Sequence, residues 1–108
     1  MTVNEFVLDE PRIHFPSNQV SVELARANST TLKCIASANP SPVFTWRKQS
    51  DKISVGVNST CNSSTLTVTP VDDDDFTSYV CTAKNKLGWD SVTFILQEKT
   101  VNENTKGE

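Results

Sequence analysis

The feature that most constrains this chain is a period-two alternation that recurs along most of its length. Val20-Ser21-Val22-Glu23-Leu24, Leu32-Lys33-Cys34-Ile35-Ala36, Phe44-Thr45-Trp46-Arg47, Leu66-Thr67-Val68-Thr69, Tyr79-Val80-Cys81-Thr82-Ala83 and Val92-Thr93-Phe94-Ile95-Leu96 each put apolar residues on one side. The other side is mostly polar, with Ile35 as an interruption. Successive side chains of a strand point to opposite faces, whereas a helix repeats every 3.6 residues, so these segments read as strands. They recur every ~10–20 residues with no helical pattern between them, as in an antiparallel sandwich or barrel.

Composition agrees. The 108 residues allow one domain. Hydrophobic residues are only 36%, and 12 Ser with 13 Thr fill the deficit, which favours strands and turns over helices. Turn-forming stretches separate the strands: Ala25 to Ser29, Asn39-Pro40-Ser41-Pro42, Ser50-Asp51-Lys52 and the polar run from Asn58 to Ser64. Asn85-Lys86-Leu87-Gly88 reads as a hairpin loop whose glycine is available for positive φ. Residues 1–10 read as a lead or linker, 11–97 as the domain and 98–108 as a polar tail or linker.

Several function classes find no support. A net charge of −3 without a Lys/Arg cluster lacks the basic footprint of nucleic-acid binding. No apolar stretch approaches the ~18–20 residues that span a membrane, so no membrane insertion by this segment is expected. Met1 precedes Thr2-Val3-Asn4-Glu5 rather than a basic region and an apolar core, so no signal peptide is expected here. A secreted or membrane-bound parent would then contain this chain as an excised piece. The sole histidine, His14, reads as part of an N-terminal strand and has no triad partner at motif spacing. One histidine and a spare thiol do not make a zinc site, and three glycines make no phosphate loop. The chain reads as non-catalytic, with no cofactor and no metal.

One constellation is specific. Cys34 and Cys81 lie on the inward faces of two strands, 47 residues apart. Trp46 follows Cys34 by 12 residues, and Tyr79 precedes Cys81 by two on the same face. Cys34, Ala36, Ala38, Pro40, Pro42, Trp46 and Lys48 follow Cys-x-Ala-x-Gly-x-Pro-x-Pro leading to Trp-x-Lys. Leu66-Thr67-Val68 fits Leu-x-Ile; Asp75, Tyr79 and Cys81 fit Asp-x-Gly-x-Tyr-x-Cys; Ala83, Asn85 and Gly88 fit Ala-x-Asn-x-x-Gly. Through these residues the chain resembles the immunoglobulin superfamily, most closely its I-set branch, from Pro11 to about Gln97.

The resemblance implies an all-β, immunoglobulin-like antiparallel β-sandwich with Greek-key connections. It implies two sheets bridged by a Cys34–Cys81 disulfide, with Trp46, Leu66 and Tyr79 in the core and Asp75 in a corner role. Two family glycines are replaced, by Ala38 and Thr77, and Thr77 is expected in a turn conformation that glycine takes more cheaply. Only 20 residues separate Trp46 from Leu66, so one of the two short strands the family places there is expected to be vestigial.

Other residues carry rival readings. Cys61 is left over as a free surface thiol, or as half of a bridge to another chain or domain. Asn28, Asn58 and Asn62 open Asn-x-Ser/Thr sequons, all in expected turns or loop edges. Asn58 and Asn62 flank Cys61, so full occupancy of both together is not expected. The acids Asp72 to Asp75 read as a solvated loop rather than a calcium site, because spaced ligands and a glycine are missing. Trp89 has outward parity against Val92, Phe94 and Leu96; it either folds over a sheet edge or lysine stem, or anchors an interface. With outward Arg47, Val80, Thr82 and Lys84 it forms the candidate recognition face.

The function implied is protein–protein recognition, or spacing, in the ectodomain of a multi-domain adhesion or receptor protein. The partner would be another family member or cell-surface protein, met homophilically or heterophilically. The rival is an intracellular structural protein of the muscle-filament type, in which the domain is a mechanical link with reduced cysteines.

Overall fold

The computed structural model describes residues 7–15 and 17–99, and parts of the expected lead (1–6) and tail (100–108) lie outside these. Nine strands form: β1 Asp9–Ile13, β2 Gln19–Leu24, β3 Thr30–Asn39, β4 Val43–Lys48, β5 Asp51–Ile53, β6 Val57–Ser59, β7 Ser63–Val68, β8 Ser78–Asn85 and β9 Gly88–Glu98. A single 3-10 turn, Asp73–Asp75, is the one helical feature among the described residues. The strands make a four-stranded sheet, β1-β3-β7-β6, packed on a five-stranded sheet, β2-β9-β8-β4-β5.

The alternating segments supply the interior. Leu32, Cys34, Trp46, Leu66, Tyr79, Cys81, Val92, Phe94 and Leu96 form one buried cluster drawn from both sheets. The Trp46 and Phe94 rings stack with centroids 5.7 Å apart, and Phe15 meets Phe94 edge-on at 5.6 Å. Cys34 on β3 and Cys81 on β8 are disulfide-bonded and fully buried, which joins the two sheets beside Trp46. In the chain-entropy account, closing a loop of this length stabilises by about 4 kcal/mol. One polar residue is buried among these: Ser64 accepts the Trp46 indole N–H at 2.8 Å and pairs with the Ser59 hydroxyl. That satisfies the ring nitrogen that burial would otherwise strand.

Some expectations change. The sandwich is not wholly antiparallel, because β2 runs parallel to β9, with Gln19 opposite Thr93 and Leu24 opposite Glu98. The chain leaves β1 in one sheet and enters β2 in the other within a few residues, so β2 lies beside β9 without reversing. Neither short strand between Trp46 and Leu66 is lost: β5 pairs with β4, β6 pairs with β7, and each keeps three residues. Asp51 and Lys52 belong to β5, and the turn sits at Gln49 and Ser50, with Gln49 at φ 57°. Strand structure starts at Asp9 and ends at Glu98, two residues before and one beyond the 11–97 reading. His14 follows β1 rather than lying in it.

Two glycine expectations are also corrected. Neither Gly88 nor Thr77 takes a positive φ. The β8–β9 hairpin is closed instead by the Asn85 side chain, whose Oδ1 accepts from Leu87 N at 2.8 Å and Gly88 N at 3.2 Å. The glycine that needs its freedom is Gly56, at φ 84° between β5 and β6, where a Cβ would approach Thr67 O to 2.9 Å.

Candidate functional site on the five-stranded sheet

The five outward residues singled out in the sequence come from β4, β8 and β9, and register decides which of them meet. Lys84 stands opposite Trp89 on β9 and opposite Val43 on β4. Two residues along, Thr82 lies between Ser91 and Thr45; two further, Val80 lies between Thr93 and Arg47. Arg47 in turn pairs with Lys52 on β5. Directly opposed side chains sit about 5 Å apart at Cβ, so these rows form a continuous surface.

At one end of that surface Trp89 is 65% exposed and Val43 71% exposed, on either side of Lys84. Trp89 therefore neither enters the core nor folds beneath the sheet. Sequence reasoning missed Val43, because the alternating segment reads as starting at Phe44, one residue after the true start of β4. Its parity with Thr45 and Arg47 was the available signal. The face holds Arg47, Lys52 and Lys84, while the outward carboxylate Glu23 lies on the far edge strand β2. The sheet face is thus locally basic on a chain of net charge −3.

The remaining sequence candidates do not join this face. Cys61 is free and exposed in the β6–β7 turn. Asn28 and Asn62 are exposed in turns, but Asn58 is the exposed centre of β6, not the loop residue expected. The acidic run forms the 3-10 turn, and Asp75 spends its carboxylate internally. Its Oδ1 accepts from Lys48 Nζ at 2.5 Å, and its Oδ2 accepts from the amides of Val71 (2.9 Å) and Asp72 (3.0 Å). The Lys48 ammonium first, then those amides, hold the Asp75 carboxyl well below the usual carboxylate range. The same pairing raises the Lys48 pKa. The Tyr79 hydroxyl donates to Asp75 O at 2.6 Å, the tyrosine corner of this fold, and burial raises its pKa. No group of three or more His, Cys, Asp or Glu suited to a metal ion is found among the described residues.

Three polar ties were not legible in the sequence. Arg26 donates to Glu98 through Nε and Nη2, to Asp73 Oδ1 at 2.6 Å and to Val71 O at 3.1 Å, with its guanidinium 5.3 Å from the Phe76 ring centroid. Those two carboxylates raise the Arg26 pKa, and Arg26 lowers that of Glu98. Asn85 Nδ2 donates to Asp9 O and Pro40 O, which ties the β8–β9 hairpin to β1. Asp90 Oδ2 accepts from Ile13 N at 2.8 Å. Only Asn85 carried a local signal, as an asparagine opening a tight turn.

A cleft of about 510 Å³ opens between β5 and β7, lined by Lys52, Ile53, Val55, Leu66 and Val68 above the Lys48–Asp75 pair. That pair is satisfied within the fold, so the cleft offers no unpaired charge from it. No helix among the described residues is long and apolar enough to cross a membrane.

Known proteins share this frame. A family model described as immunoglobulin domain matches residues 10–85. Neural cell adhesion molecule 1 of Mus musculus is 34% identical over 100 residues, which cover 84% of this chain and 9% of that protein. Limbic system-associated membrane protein of Mus musculus is 36% identical over 83 residues, 73% of this chain and 24% of that protein. The chain thus spans at most about a quarter of these curated relatives. Among solved structures, an I-band fragment of titin superposes with a TM-score of 0.74 at 31% identity, over 85% of this chain and 33% of that one. A titin domain solved at atomic resolution gives 0.76 at 22% identity, over 89% and 100%, a likeness of fold alone. With the disulfide beside Trp46, the tyrosine corner and a matched span of residues 10–85, this chain belongs to the immunoglobulin domain family.

Proposed function

We propose that this domain, residues 9–98, is an extracellular protein-recognition module of a multi-domain cell-adhesion or receptor protein. Its binding surface is the outer face of the five-stranded sheet, and it is non-catalytic. The observation that carries this reading is the Val43–Lys84–Trp89 row, which holds two large exposed apolar side chains around a cation. Exposed tryptophan is a frequent hot spot of protein interfaces, and a sheet face with a polar rim suits a protein partner. Likeness to adhesion and membrane proteins and a buried disulfide support the extracellular setting.

The test immobilises the chain on beads, in its disulfide-bonded form, and measures bead–bead aggregation and capture of cells. Wild-type beads are expected to aggregate or to capture cells, and Trp89→Ala is expected to lower that at least tenfold. Thr31→Ala, on the exposed outer face of the other sheet, leaves it unchanged. Equal binding by wild type and Trp89→Ala would overturn the surface assignment.

The likeness to the titin fragment at 31% identity favours a second reading, a mechanical link inside the cell. A free-thiol count on protein from its native setting separates the two. One thiol, Cys61, supports the extracellular reading, and three support the filament reading.

A further inference from the structure

Each exposed sheet edge is a template for unwanted pairing unless something blunts it. In the four-stranded sheet the two edges are β1 and β6. Strand β1 is blunted by Pro11 and by a register shift between Asp9 and Arg12. Strand β6 is three residues long, Val57–Ser59, and pairs with β7 on one side only. Its shortness is its one built-in protection, because it contains no proline and no charged side chain. At its centre stands exposed Asn58, the first residue of Asn58-Ser59-Thr60.

The sequons differ in what their side chains already do. The Asn58 side-chain amide makes no hydrogen bond among the described residues; Thr65 Oγ1 donates instead to the Asn58 backbone carbonyl at 3.3 Å. Its sequon closes on exposed Thr60, although the Thr60 hydroxyl bonds within the turn to Asn62 and Ser63. Four residues on, Asn62 Oδ1 accepts from Thr60 Oγ1 at 3.2 Å and Asn62 O accepts from Ala36 N at 3.0 Å. The hydroxyl that closes the Asn62 sequon belongs to fully buried Ser64, bonded to Trp46 and Ser59. A sugar on Asn58 breaks no side-chain hydrogen bond, whereas one on Asn62 loses the bond to Thr60 in a turn already bonded to β3. None of the three sequon asparagines lies on the five-stranded sheet.

Building on the extracellular reading above, we propose that Asn58 carries an N-linked glycan that covers the free edge of β6, leaving the five-stranded sheet as the bare face of the domain. In the transfer, the Asn58 amide nitrogen bonds to C1 of a polyprenyl-diphosphate-linked oligosaccharide. The C1–O bond breaks, the lipid diphosphate leaves, and a base of the transferase takes one amide proton. No oxidant or reductant is needed.

The experiment secretes the chain from mammalian cells behind an added signal peptide and maps all sequon peptides after glycosidase treatment in heavy-oxygen water. Asn58 is expected to be occupied and Asn62 empty; an unmodified Asn58, or occupancy of Asn62 in its place, overturns the assignment. Sedimentation then compares the glycoprotein with Asn58→Gln and with protein trimmed to one sugar residue, which keeps the natural asparagine. The glycoprotein is expected to stay monomeric, and both stripped forms to self-associate as concentration rises. Equal sedimentation overturns the covering role. So does self-association that disappears in Asn58→Gln/Trp89→Ala, because contact then runs through the other sheet. The glycan map involves no binding partner, so it can fail while the recognition reading stands; a count of three free thiols fails that reading instead.

Discussion

The outer faces of the two sheets are built on one shared interior and yet differ. The five-stranded sheet shows exposed Trp89 and Val43 and half-buried Val80 and Ile95 among Arg47, Lys52 and Lys84. The four-stranded sheet shows Thr31, Lys33, Ser37, Thr65 and Thr67, with Ile35 the exposed large apolar residue, 41% exposed, and carries a sequon on its edge strand. Inward residues of both sheets answer to one packing requirement, so they look alike. Outward residues answer to what each face must meet, and the contrast supports the proposal that the five-stranded face is the one that makes contacts.

The largest expected effect removes what the faces share. Cys34→Ser should cost about 4 kcal/mol, on the order of 20 °C in Tm, measured by thermal unfolding under non-reducing conditions. Both faces should fail together; an unchanged Tm would detach them from a common core.

Next comes the corner between β7 and β8. Asp75→Asn loses the Lys48 pair and weakens two amide contacts, which should cost about 2 kcal/mol by chemical denaturation. The sign with pH follows from the shift. The folded Asp75 pKa lies below the unfolded value, so its contribution is fully present above about pH 4 and is lost as pH falls below that. Wild type should lose stability over that acid range more steeply than Asp75→Asn, and parallel curves would contradict the pairing.

A smaller stability effect should separate the faces. Trp89→Ala, exposed and outside the core cluster, should stay within about 0.5 kcal/mol of wild type while abolishing binding. Thermal unfolding beside the bead assay reads both. Smallest and opposite in sign, Ala27→Gly should stabilise by up to about 0.5 kcal/mol. Ala27 sits at φ 72° in the turn between β2 and β3, where its Cβ is strained. Because that turn is away from both faces, binding should not move.

The resemblance to a known family let several elements be read in advance. Cys34, Trp46, Tyr79 and Cys81 were placed on inward faces by parity alone, because a strand's alternation is written residue by residue. The hairpin at Asn85 was visible, but not its means of closure. Glycine was the expected device, whereas the Asn85 side chain, bonded to two amides, makes the turn without positive φ. Arg26 looked like one polar residue of a turn. Its two carboxylate partners are 47 and 72 residues away, so no local pattern announces it.

The same division holds for the whole molecule. The sequence by itself determined the six long alternating strands, the apolar buried set they carry and the cysteine pair, since each follows from local alternation and from matching a family motif; the short β5 and β6 were not among them. Only the tertiary structure decided that β2 runs parallel to β9, that Val43 joins Lys84 and Trp89, and that Asp75 is held by Lys48. Those facts depend on register between strands far apart in the chain. Register is fixed by packing both sheets on one core, which no short window of residues contains.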